Sequence, residues 1–118
     1  MKWGIVKMKK SEQLAINKKV IAAYDLFCAE NPYTWDLDFK RLYSCSAYVA
    51  ETDYFIVLKS YDTIIAVLEK TNGCIYDFLR YVYGYTAISA QHVSKFRRYC
   101  IEHFLCDYKA TVYTYREV

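Results

Sequence analysis

Two histidines, five cysteines and thirteen carboxylates are the side chains that could move protons, attack carbonyls or hold a metal in this chain, and their spacing assembles none of those chemistries. His92 and His103 are separated by three turns of one predicted helix, about 16 Å, too far to share an ion. Phe96, not a second ligand, stands four residues after His92. Both histidines therefore read as structural or surface residues. Cys28, Cys45, Cys74, Cys100 and Cys106 form an odd set with no C-x-x-C pair, which reads as reduced, mostly buried thiols. Cys100 falls on the apolar stripe of the helix that carries His92, where burial keeps a thiol unreactive. Asp36 and Asp38 would share one side of an extended loop without further ligands beside them. Gly4, Gly73 and Gly84 are too scattered for a phosphate-cradling loop. The expectation is a protein that is not an enzyme and uses no cofactor or metal.

Recognition chemistry is better represented. Among fourteen tyrosines, Tyr76, Tyr81, Tyr83 and Tyr85 precede Lys95, Arg97 and Arg98, so a folded domain would set aromatic faces beside cations. Nucleic-acid binders use this pairing, each base–aromatic stack contributing about 1–3 kcal/mol. Protein interfaces use it too, because hot spots are enriched in Tyr and Arg. The same tyrosines also fit half-buried sheet positions whose hydroxyls reach solvent. The residues expected to face a partner are Tyr83, Tyr85, Lys95, Arg97 and Arg98.

The elements that must position them follow from periodicity. Ser11 is a candidate N-cap for a helix to about Ala29, with Leu14, Ile16, Val20, Ala23 and Phe27 on its buried stripe and Asn17, Lys18 and Asp25 opposite. Asn31-Pro32 ends that helix, since the residue before proline is driven out of helical geometry. Residues 3–8, 42–49, 53–60 and 61–70 read as strands. Asn72-Gly73 predicts a two-residue type I′ hairpin with Thr71 opposite Cys74, leading into a strand that ends in the run Tyr81–Tyr85. Both faces of that hairpin are largely apolar, so it is covered on both sides by helices or by a partner, a second copy of this chain included. A second helix spans about Ser89–Leu105 with Val93, Phe96, Cys100 and Phe104 inward, and residues 109–118 alternate as a last strand. The predicted fold is α+β: an antiparallel sheet of four to five strands packed with two α-helices.

The 118 residues suit one compact domain over 1–118, and the 55% apolar fraction excludes a disordered chain. No apolar run approaches the roughly 18 residues of a membrane helix, and the N-terminus lacks a secretory h-region. A soluble, cytoplasmic protein without membrane contact is expected. The net charge of +3 is too small to mark a nucleic-acid binder by itself and has the wrong sign for a DNA mimic.

The strand Ser60–Ala66, the Asn72-Gly73 turn, the tyrosine run at 81–85 and the S-x-Q-H-x-x-K-F pattern at 89–96 resemble the core of small accessory proteins from phages and mobile elements of Gram-positive bacteria. That resemblance implies a factor that binds and inhibits a host defence complex, such as an anti-CRISPR protein acting on an RNA-guided nuclease in the cytoplasm of the host cell. It implies as partner a host protein or ribonucleoprotein nuclease complex, disabled either by blocking a protein surface or by contacting guide RNA with Lys95, Arg97 and Arg98. The alternative is a nucleic-acid-binding accessory or regulatory protein. The first helix and the Trp35 loop lie outside the resemblance.

Overall fold

Strands that are apolar on both faces must be covered on both sides, and two helices do this here. The structure, a computed structural model, describes residues 9–104 and 111–118. The expected strand at 3–8, Leu105 and Cys106 lie outside the described residues. In chain order the elements are α1 (Lys10–Glu30), a 3-10 turn (Thr34–Asp36), β1 (Lys40–Arg41), β2 (Ala47–Glu51), β3 (Phe55–Ser60), β4 (Thr63–Glu69), β5 (Cys74–Asp77), α2 (Leu79–Val82), α3 (Ala87–His103) and β6 (Val112–Thr114). The class is α+β as expected, with one sheet of six strands in sequential order. β1 to β5 form an antiparallel meander, whereas β6 pairs with β5 in parallel. A parallel partner requires a crossover, and the α2–α3 segment lies between these two strands.

The sheet divides the core into two layers. Val20, Ala23 and Phe27 of α1 pack with Phe55, Val57, Val67, Tyr76 and Phe78 on one face. Val93, Phe96 and Cys100 of α3 pack on the other with Ile56, Leu58, Leu68 and Ile75. Each fully buried aromatic of this kind costs about 3–5 kcal/mol when cut to alanine, so Phe27 and Phe96 fasten one helix to each face.

Several local expectations are corrected. The β4–β5 turn is longer than two residues, because Glu69 pairs with Cys74 and Gly73 N–H donates to Glu69 O at 2.8 Å. Only Gly73 takes positive φ there; Asn72 instead accepts from Cys74 N through its side chain at 2.9 Å. A bulge in β4 leaves Ile65 between the Leu58–Ala66 and Lys59–Ile64 pairs, so Ile65 joins Ala66 on the α3 side. β5 stops at Asp77, whose Oδ1 accepts from Leu79 N–H at 3.1 Å and starts α2 where continued strand was expected. Tyr81 is therefore helical, and Gly84, at φ +111°, follows the end of α2.

On α1 the buried stripe is rotated. Gln13 and Asn17 are buried while Leu14, Leu26 and Cys28 are exposed. Ser11 lies inside the helix, which starts after Lys9 without a side-chain cap. α3 is capped instead by Thr86, whose side chain accepts from Ser89 N, and Phe104 at its end is exposed. Among the described residues no helix is long and apolar enough to cross a membrane.

Candidate functional site

The pairing of β5 with β6 sets Asp77 opposite Thr114, so both strands end at the same place. A groove of about 350 Å³ opens beyond these ends, between them and α3. Three arginines line the groove: Arg80 from α2, Arg97 from α3, and Arg116 two residues past β6. Ser94 and Thr114 add hydroxyls. Tyr85 lines the same wall, with the Arg80 guanidinium 4.4 Å from its ring centre.

Asp77 is the buried member of this set. Burial raises its carboxyl above the ordinary value of 3.8, while the Leu79 N–H, the Arg80 charge, the Thr114 hydroxyl and the Arg116 charge pull the other way. Both arginines are thus within electrostatic reach of one carboxylate. Neither has a carboxylate within ion-pair distance among the described residues.

The five residues expected to face a partner are separated. Tyr85 and Arg97 share the groove. Arg98 does not line that groove; it shares a neighbouring hollow with Arg97, Ser94 and Tyr43, where its guanidinium lies 4.5 Å from the Tyr43 ring centre and its Nε 3.5 Å from Glu102 Oε1. Tyr83 lines a second cleft with Tyr61, Thr86 and Ile88. Lys95 is half-buried and lies close enough to His92 to disfavour a charge there. Arg80, Arg116 and Asp77 line the same groove and are not singled out by the sequence reading. Arg80 was placed on a strand, and nothing local connects Arg116 to Arg97, since only the parallel β5–β6 pairing brings residues 77 and 114 together.

No protein-family model, curated protein sequence or solved structure matches the chain.

Neither His92 nor Cys100 is placed for nucleophilic catalysis. His92 is buried with Ser60 and Ser89: Ser60 Oγ lies 2.7 Å from His92 Nδ1 and 2.9 Å from Ser89 Oγ. A serine–histidine contact needs an orienting acid to become a nucleophile, and the structure records no carboxylate hydrogen-bonded to His92 among the described residues. Burial, then the Lys95 charge, lowers the imidazole pKa, so the ring is held neutral as a tie between β3 and α3. The Cys100 thiol is pushed up to about 12 by burial alone, which makes it a core residue and not a nucleophile. Asp36 belongs to the 3-10 turn, and no group of three His, Cys, Asp or Glu is placed to hold a metal among the described residues.

Proposed function

We propose that this chain is a non-enzymatic binding protein that holds nucleic-acid phosphates in the Arg80–Arg97–Arg116 groove, and that it thereby inhibits a host RNA-guided nuclease. The observation that carries the first part is the presence of three arginines in the lining of one groove with Tyr85 beside them. Guanidinium forks match phosphate oxygens in bidentate geometry, and an exposed tyrosine ring offers a base a stacking surface. With a net charge of only +3 over 118 residues, attraction to a polyanion depends on where the cations are concentrated.

The nuclease target is supported by the resemblance of residues 60–96 to mobile-element accessory proteins. An exposed aromatic pair in the N-terminal third adds support for a ribonucleoprotein partner: Tyr33 and Trp35 lie with ring centres 5.1 Å apart, and Trp35 is 76% exposed. Large exposed aromatics of this kind anchor protein interfaces. A nucleic-acid-binding regulatory protein would use the same groove without a nuclease.

Cleavage by a purified RNA-guided nuclease separates the two. Saturating protein is expected to slow cleavage, and the Arg80→Gln/Arg116→Gln variant to restore it. Unaffected cleavage at saturation rejects the nuclease target and leaves the regulatory reading.

A further inference from the structure

The cations of the groove are clustered and not strung out. Past Tyr85 and Gly84 the groove continues to Glu117, and along α3 the next cation after Arg97 is Arg98, already beside Glu102. A strand laid across this surface would pass carboxylates on both sides of the arginines. Backbone phosphodiesters carry one charge each and are bound by grooves whose positive charge follows the strand. A terminal phosphomonoester is different. It concentrates about −1.5 to −2 charges and three acceptor oxygens at one point near neutral pH.

We infer that the groove receives the terminal phosphomonoester of a nucleotide, carried on the end of a strand or on a free mononucleotide. This rests on the phosphate-binding reading given above and adds the form of phosphate. Arg80, Arg97 and Arg116 line the space the dianion takes, and the Ser94 hydroxyl supplies a further donor, while the Thr114 hydroxyl is engaged by the Asp77 carboxylate. The attached base lies on Tyr85, whose surface is 57% exposed although Arg80 covers part of the ring. Gly84 leaves room for that base: a Cβ built on it would meet nothing within 4 Å. Glu117, on the same side, accepts hydrogen bonds from base amino or sugar hydroxyl groups and repels a further phosphate.

Fluorescence anisotropy with short single-stranded DNA and RNA of one sequence tests this, each made with a 5′-phosphate, a 3′-phosphate or only hydroxyl ends. A phosphorylated end is expected to bind about tenfold tighter than the hydroxyl-ended oligonucleotide at low salt, as a charge-assisted bidentate contact would give. That preference is expected to vanish in Arg80→Gln/Arg116→Gln protein that melts like the wild type. Competition by a nucleoside monophosphate at concentrations similar to the phosphorylated oligonucleotide identifies the free nucleotide as the source. Competition by the oligonucleotide alone identifies the strand end. Equal affinity for phosphorylated and hydroxyl-ended strands overturns the inference and leaves phosphate binding intact, whereas no binding of any probe removes both.

Discussion

Asn17 holds Arg116 by both of its backbone groups: Arg116 N–H donates to Asn17 Oδ1 at 3.0 Å, and Asn17 Nδ2 donates to Arg116 O at 2.6 Å. A side-chain amide on α1 thus does for the chain after β6 what a neighbouring strand would do. Gln13 extends the arrangement, donating to Asn17 Oδ1 and to Thr114 O. These bonds satisfy backbone groups at the sheet edge and fix where Arg116 enters the groove.

Replacing Asn17 by alanine should therefore act on stability and on the site together. Loss of the pair leaves part-buried groups of Arg116 unsatisfied, a cost of about 1–3 kcal/mol. Chemical denaturation is expected to show that loss with an unchanged slope, and phosphate binding to weaken although Asn17 does not line the groove.

The Ser60–His92 contact predicts a pH dependence. The folded-state pKa of His92 is lowered from 6.5, so the charged ring is disfavoured in the fold; its contribution is present above that value and lost as pH falls below it. At neutral pH, Ser60→Ala is expected to destabilise by about 1–3 kcal/mol, because His92 Nδ1 loses its partner. Thermal melting of wild type and His92→Asn should converge as pH drops through 6.5. A constant gap would show that the ring's charge state does not matter to the fold.

Asp77 has the opposite sign. Its carboxyl is raised above 3.8, so its burial contributes most favourably below that pH and becomes a cost as pH rises through the folded value. Asp77→Asn keeps an oxygen to accept from Leu79 N–H and removes the charge. The variant is expected to melt above wild type at neutral pH, with the difference shrinking toward pH 3.8, and to bind phosphate more tightly. A lower melting point at neutral pH would mean that attraction to Arg80 and Arg116 outweighs burial.

The parts legible in the sequence were those fixed by short-range pattern. The α+β class, the helix stop at Asn31, the inward residues Val93, Phe96 and Cys100, and the double cover of the β4–β5 hairpin all follow from periodicity and turn chemistry. Long-range pairing was not legible. Asn17 reads as a solvent-facing helix residue until β6 brings unpaired backbone groups against it, and the Ile65 bulge reverses a face that alternation alone would assign. The site suffered most. Tyr85 and Arg97, which line one groove, could be singled out because an aromatic and basic residues fall close together in sequence. Arg80 and Arg116 were missed because a strand continuing to Tyr81 would have pointed Arg80 elsewhere, and because the β5–β6 pairing has no local signature.

The central claim is that the arginine groove binds nucleic-acid phosphates, and salt titration of single-stranded RNA and DNA binding tests it most directly. Each phosphate contacted on a single strand adds about 0.7 to the slope of log affinity against log salt. Arg80→Gln/Arg116→Gln is expected to weaken binding and reduce that slope, while Lys18→Gln on the exposed side of α1 leaves both unchanged. Absence of binding at low salt, or a slope that the double variant does not alter, would contradict the account.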